Sequence, residues 1–198
     1  MRNISFFDFE IDPTTLQVQD IGAIYTNEKK FRGKSIGEFK AFMQDAEFIV
    51  GHNVFSHDLK YLHQYLGDKT FGEHNTIDTL FLSPLLFPSR PYHHLLKDDK
   101  LQVDELNNPL NDAKKAQHLF NDQVVAFNKL SGEMKHILFG LLGNIKEFTN
   151  FFKAVNYQQT QTLESIESII RRVFEGRVCS VANLQDLIHN SPIPLAYA

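Results

Sequence analysis

The stretch NISFFDFEID (Asn3–Asp12) predicts a β-strand, because it is short, rich in Phe and Ile, and followed directly by a proline. Strand side chains alternate between two faces, so Asp8 and Glu10 point to the same side. Phe7 and Phe9 then point to the opposite side, into a core. Two adjacent carboxylates on a central strand repel each other unless a cation lies between them, and oxygen ligands suit Mg²⁺ and Mn²⁺. A strand end that reaches solvent would explain the same two acids without a metal.

The residues around this strand predict an α/β protein. Ser35 and Glu38 have the spacing of a capping box that opens a helix, and Asp78 is predicted to cap another helix. The other predicted strands are TLQVQDIGAIYT, KKFRG, EFIVGHN and the beginning of NTIDTLFLSPLLFPSRP. Three antiparallel strands followed by alternating helices and strands indicate a mixed sheet flanked by helices.

The last third of the sequence predicts helices throughout. A helical pattern covers Asn111 to Leu130, and the segments beyond it contain no strand of comparable quality. The sequence therefore predicts a domain over residues 1–130 and a helical extension over residues 131–198. The apolar ending SPIPLAYA indicates a fragment of a longer protein, with the extension as a connection to a further domain.

The composition predicts a soluble, cytoplasmic globular protein. The chain has 198 residues, of which 42% are hydrophobic and 22% are charged. The net charge of −4 argues against a domain that wraps nucleic acid by charge alone, but it is compatible with an enzyme whose acidic site holds metal ions. The single cysteine, Cys179, rules out an internal disulfide framework and fits a reducing compartment.

Two further acids lie where the sequence predicts the beginning of a helix. Asp58 follows a loop in which Gly51 allows a sharp turn, and His52 and Asn53 can tie this loop by side-chain hydrogen bonds. Asp112 follows the stretch NNPLN. The helix dipole stabilises an acid at a helix N-terminus in any protein, so each of these aspartates also has a purely structural explanation.

Four motifs taken together resemble the DEDD exonuclease superfamily, and in particular its proofreading branch. They are FFDFEID, GHNVFSHDLKYL, IDTLFLSPLLFP and NNPLNDAKKAQHLF, and their order and spacing are similar to those of that superfamily from Ile4 to about Leu130. The resemblance implies a ribonuclease H-like fold. It also implies that four acids converge on two divalent cations, and by position these acids are Asp8, Glu10, Asp58 and Asp112.

The resemblance further implies metal-dependent hydrolysis of phosphodiester bonds. Two cations, Mg²⁺ or Mn²⁺, would stabilise the negative charge that this reaction develops. Asp8 would lie between both ions, Glu10 and Asp112 would hold one of them, and Asp58 would position the other.

The general base of this superfamily is replaced in this chain. Its histidine branch has His five residues before the last acid, where this sequence has Asn107, and the other branch has Tyr at the position of Asn108. Three interpretations are open: His93 or His94 takes the role, Asn107 orients the attacking water, or the domain binds nucleic acid ends without cutting them. The presence of all four acids favours catalysis, because clustered carboxylates without a function would only cost stability.

The predicted substrate is the 3′ end of a nucleic acid, with single-stranded DNA favoured over RNA because the motifs resemble the proofreading branch. Phe9 and the loop after Gly51, including His52 and Asn53, are candidates for packing against the terminal nucleotide. Domains of this superfamily are often fused to helicases or polymerases, so a helicase or polymerase is the predicted partner.

Overall fold

The computed structural model describes residues 2–12, 14–59, 74–90, 108–158 and 164–198. Five strands form one sheet: β1 (Ile4–Ile11), β2 (Val18–Tyr25), β3 (Lys30–Gly33), β4 (Phe48–Gly51) and β5 (Thr76–Asp78). Their order across the sheet is β3-β2-β1-β4-β5. The first three strands are antiparallel, whereas β4 is parallel to β1 and β5 is parallel to β4. The predicted α/β architecture with a mixed sheet is confirmed, and β1 is its central strand.

Eight described helices accompany the sheet: α1 (Ile36–Met43), α2 (Thr79–Leu86), α3 (Pro109–Lys129), α4 (Gly132–Leu142), α5 (Lys146–Ala154), α6 (Ile166–Val173), α7 (Leu184–Asn190) and α8 (Pro192–Tyr197). The predicted caps of two helices are confirmed. Ser35 accepts a hydrogen bond from the backbone N–H of Glu38, and Asp78 accepts one from that of Leu80. None of the described helices combines the length and the apolar character that crossing a bilayer requires.

The sheet buries a different hydrophobic cluster on each face. Phe7 and Phe9 of β1 pack with Phe39 and Met43 of α1 on one face. On the other face Phe6 lies in a cluster with residues of α3, α4, α5 and α6. This alternation of neighbouring phenylalanines is the strand pattern that the sequence predicted, and it directs Asp8 and Glu10 toward the face that α3 covers.

The helices after Leu130 pack against the sheet domain. Asn150 of α5 donates a hydrogen bond from Nδ2 to the backbone oxygen of Thr76 in β5, at 2.9 Å. Phe127 of α3 makes an edge-to-face contact with Phe151 of α5, with ring centroids 5.3 Å apart. The described residues after Leu130 form helices and no strand, as predicted. One hydrophobic cluster extends across residue 130, and the division into two domains at that point stays a prediction.

Candidate functional site

Three carboxylates from distant parts of the sequence meet beside the central strand. Asp8 and Glu10 come from β1, and Asp112 comes from the first turn of α3. One carboxylate oxygen from each lies within 4.8 Å of the others, and all three residues are half-buried. The sequence predicted that these acids converge, and the structure brings them together.

A glycine in β2 allows α3 to approach Asp8 closely. Gly22 is the direct partner of Asp8 in the antiparallel pairing of β1 and β2. A Cβ atom at Gly22 would lie 2.1 Å from the backbone nitrogen of Leu110, so the first turn of α3 rests directly on the strand. Asn108 caps this helix by accepting a hydrogen bond from Leu110 N–H at 3.2 Å. Gly22 could not be identified from the sequence, because nothing in a strand pattern shows what packs on it.

The loop after β4 is held in place by Asp78. One oxygen of Asp78 accepts hydrogen bonds from the backbone N–H groups of Asn53 and Leu80, at 2.8 and 2.9 Å, and the other accepts one from Phe55 at 3.2 Å. Asn53 has a φ of 62°, a left-handed conformation that asparagine tolerates better than most residues. Asp78 thus fixes this loop as well as capping α2.

His52 also ties this loop to α2, as predicted from its position. Thr79 donates its hydroxyl proton to the backbone oxygen of Gly51 at 3.1 Å. The Thr79 oxygen lies 2.9 Å from Nδ1 of His52 and therefore accepts a hydrogen bond from it. His52 and Asn53 thus have structural contacts, and their contact with a nucleotide stays a prediction.

Asp58 lies beneath this loop and is 3% exposed. Residues 58 and 59 are helical, and Leu59 N–H donates to the backbone oxygen of Val54 at 2.9 Å. Among the described residues, no group donates a hydrogen bond to Oδ1 of Asp58, and Nδ1 of His57 lies 3.8 Å from it, too far for one. A buried carboxylate oxygen without a donor is costly, and a bound cation would remove that cost.

The four acids influence one another through space. Burial raises the pKa of Asp8 well above its ordinary value, and the negative charges of Asp58, Asp112 and Glu10 raise it further. Burial also raises the pKa of Asp58, against the opposing effect of His57. Because the charge of Asp58 acts on Asp8, the fourth acid belongs to the same electrostatic cluster as the other three.

Lys115 introduces a positive charge into this cluster. It lies one turn after Asp112 on α3, and its Nζ is 3.1 Å from Oδ1 of Asp112. It also lowers the pKa of Asp8 against the effects of the acids. Lys115 is not among the predicted site residues, although its spacing of three residues from Asp112 was a signal for this contact.

The remaining predicted site residues are Phe9, Asn107, His93 and His94. Phe9 is 4% exposed, and its ring packs edge-to-face against Phe39 with centroids 5.1 Å apart. This packing is on the face opposite the acids, and a contact of Phe9 with a nucleotide stays a prediction. Asn107, His93 and His94 lie outside the described residues.

No protein-family model matches this chain, and neither the curated proteins nor the solved structures include a match to it. The chemistry of the site therefore rests on its own residues. Three carboxylate oxygens in such a group could hold a divalent cation, and oxygen is the ligand that Mg²⁺ and Mn²⁺ prefer. The buried oxygen of Asp58 without a donor fits the same kind of ligand.

Proposed function

We propose that this protein is a metal-dependent 3′–5′ exonuclease of the DEDD superfamily. The observation that carries the proposal is the meeting of Asp8, Glu10 and Asp112 within 4.8 Å, beside a buried Asp58 whose charge acts on Asp8. These are the four acids that the resemblance assigned to two divalent cations. They are separated by up to about a hundred residues of chain, and only the fold brings them together.

The architecture supports a ribonuclease H-like fold. Three antiparallel strands precede two parallel ones, and the central strand carries two of the four acids. Helix α3, which carries Asp112, packs on the same face of the sheet as the acids.

Within this proposal, the chain holds the cations and positions the substrate. Asp8, Glu10 and Asp112 would hold one cation, and Asp58 would help to hold a second. Two bound divalent cations stabilise the negative charge that phosphodiester hydrolysis develops on the attacking and leaving oxygens. Repulsion among the carboxylates raises the free energy of the metal-free protein. A bound cation would relieve this repulsion, and the relief would contribute to the affinity of the site for cations.

The replacement of the general base predicts a slow enzyme. Asn108, at the position of the tyrosine in one branch, uses its side-chain oxygen to cap α3. A neutral amide does not accept a proton near neutral pH. General base catalysis typically contributes about 10²- to 10⁴-fold, so turnover is expected to be slower by a factor in this range.

The proposed substrate is the 3′ end of single-stranded DNA, with RNA as the second choice, and the proposed setting is a larger DNA-processing assembly with a helicase or polymerase. This substrate follows from the proofreading character of the four motifs. The net charge of −4 fits an enzyme that engages one end of a strand rather than a domain that wraps a duplex.

One observation favours a second candidate, a domain of the same fold that binds nucleic acid ends without cutting them. The ammonium of Lys115 already neutralises part of the acid cluster, at 3.1 Å from Asp112. An internal cation of this kind would allow the acids to persist without bound metal.

The deciding experiment is degradation of 5′-labelled single-stranded DNA, with an RNA of the same sequence in parallel, in Mn²⁺, Mg²⁺ or EDTA. The wild type is compared with Asp8→Ala and with the control Asp122→Ala, which removes an exposed acid from the same helix as Asp112. We expect a metal-dependent ladder that shortens from the 3′ end for the wild type and the control. Loss of Asp8 should reduce turnover by about 10³-fold or more, because several kcal/mol of charge stabilisation are lost.

Intact DNA and RNA in all metals, together with binding of their ends by the wild type, would replace the exonuclease proposal with the second candidate. Equal loss of activity in Asp122→Ala would show that the effect of Asp8→Ala is not specific to the acid cluster.

A further inference from the structure

Lys115 has contacts that set it apart from an ordinary surface lysine. Its Nζ lies 3.1 Å from the Oδ1 of Asp112, and both side chains are 30% exposed. Asp112 in turn lies with Asp8 and Glu10 in the acid cluster. Lys115 therefore contacts the site from the first turns of α3, the helix that Gly22 allows to lie directly on the sheet.

The charge of Lys115 acts on the cluster beyond its direct partner. It favours the ionised form of Asp8, whereas Asp58, Asp112 and Glu10 disfavour it. A fixed ammonium and a divalent cation serve the same purpose among these carboxylates, and they compete for the same oxygen of Asp112 because their charges repel each other.

We propose that Lys115 is the resting counter-ion of the acid cluster, and that a divalent cation binds by displacing its ammonium from Asp112. This inference rests on the proposed function, since it concerns the same metal site. Lys115 thereby stabilises the metal-free protein and lowers the affinity of the site for cations. It acts as a competitor for the cation and not as a ligand.

The test is isothermal titration of the full chain with MnCl₂, for the wild type and three variants. Lys115→Met removes the charge and keeps much of the side-chain length. Lys115→Arg keeps the charge. Lys114→Met removes the same charge from the preceding residue, whose side chain points about 100° away around the helix, and so controls for net charge. Circular dichroism checks that every variant is folded.

We expect Lys115→Met to bind Mn²⁺ about tenfold more tightly than the wild type, a change that corresponds to about 1.4 kcal/mol. Lys115→Arg should keep the wild-type affinity, and Lys114→Met should change it by less than about threefold, since a charge that points away from the cluster is screened by solvent. In EDTA, Lys115→Met should also unfold at a lower temperature than Lys114→Met, because the carboxylates lose their counter-ion.

The outcomes separate this inference from the proposed function. Mn²⁺ binding that is unchanged or weakened in Lys115→Met, with a normal wild-type affinity, overturns the role of Lys115 and leaves the metal centre in place. Absence of Mn²⁺ binding in both proteins overturns the metal centre, and the displacement model with it. Binding by Lys115→Met but not by the wild type supports the displacement model and favours the non-cutting candidate.

Discussion

Two buried aspartates, Asp78 and Asp58, show how differently this fold treats the same side chain. Asp78 is 0% exposed and Asp58 is 3% exposed, and burial raises the pKa of each. Asp78 accepts hydrogen bonds from three backbone N–H groups. Within the described part of the chain, the Oδ1 of Asp58 accepts none.

This difference separates Asp78, whose two oxygens both accept hydrogen bonds, from Asp58, where backbone hydrogen bonds oppose the rise in pKa that burial causes but Oδ1 has no donor among the described residues. Buried polar groups in proteins are almost always hydrogen-bonded, so an exception calls for an explanation. The charge of Asp58 raises the pKa of Asp8, so repulsion between these two acids adds to the cost of burying them. Divalent cations bound to Asp58 and to the other three acids would satisfy these carboxylates, whereas Asp78 accepts three hydrogen bonds from the chain itself. Asp78 therefore has a structural role that its own contacts explain, whereas Asp58 has the property expected of the cation ligand that we propose.

Asp78→Ala is expected to have the largest effect on stability. We expect the free energy of unfolding to fall by about 3 kcal/mol or more, because hydrogen bonds to a charged group are lost and buried N–H groups are left without acceptors. Urea denaturation followed by circular dichroism measures the change. Asp58→Ala in EDTA is the matched control and should lose less stability than Asp78→Ala, since its Oδ1 has no donor to lose and removal of its charge relieves repulsion with Asp8. Equal losses in the two variants would contradict the comparison.

The structural role of Asp78 could be predicted in part from the sequence. The position of Asp78 between a strand and a helix predicted its cap of α2, because capping depends on residues two or three positions away. Its bonds to Asn53 and Phe55 join segments more than twenty residues apart, and no local pattern encodes them. The alternation in β1 likewise predicted the common face of Asp8 and Glu10, because it is a local property of strands.

Gly22→Ala is expected to have the second largest effect, and it tests how Asp8 and Asp112 are brought together. A Cβ at this position would lie 2.1 Å from Leu110 N and 2.2 Å from Pro109 C, and backbone atoms cannot rotate away. Helix α3 must therefore shift, at a cost of about 2 kcal/mol in unfolding free energy.

The same shift should move Asp112 away from Asp8 and weaken Mn²⁺ binding, measured by calorimetry. Gly132→Ala is the control, because a Cβ there meets no atom within 4 Å. If Gly22→Ala lowered stability but left the affinity for Mn²⁺ unchanged, Asp112 would not be a ligand.

The assembly of the site illustrates what a single sequence does not encode locally. Asp58 and Asp112 each had a structural explanation as acids at helix N-termini, and their resemblance to a known set of motifs, not their local pattern, placed them in one site. The contact of Gly22 with α3 and the approach of Lys115 to Asp112 depend on how the helix packs on the sheet. Packing of this kind is a tertiary property, which periodicity does not contain.

The last prediction concerns the pH dependence of the unfolding free energy in EDTA, which reports the cost of ionising Asp8 in the acid cluster. Since the pKa of Asp8 is higher in the folded protein than its ordinary value of 3.8, the folded state binds more protons between these two values. The stability contributed by Asp8 therefore falls as the pH rises through this window, by about 1.4 kcal/mol for each unit by which the pKa is raised. Glu10, Asp58 and Asp112 enlarge the effect, and Lys115 reduces it.

Asp8→Asn should consequently be more stable than the wild type at pH 7 in EDTA, and its advantage should shrink as the pH is lowered toward 3.8. Melting temperatures from pH 4 to pH 8 measure this, at about half-unit steps. Asp12→Asn provides a control of opposite sign, because the backbone N–H groups of Thr14 and Thr15 lower the pKa of Asp12. Its stabilising contribution is present above pH 3.8 and is lost as the pH falls through the lowered pKa, so Asp12→Asn should be the less stable protein at pH 7.

Saturating Mn²⁺ should abolish the advantage of Asp8→Asn, because a cation bound to the cluster favours the ionised carboxylate that the metal-free protein disfavours. An advantage that persisted unchanged in Mn²⁺ would show that Asp8, like Asp78, belongs to the structure and not to a cation site.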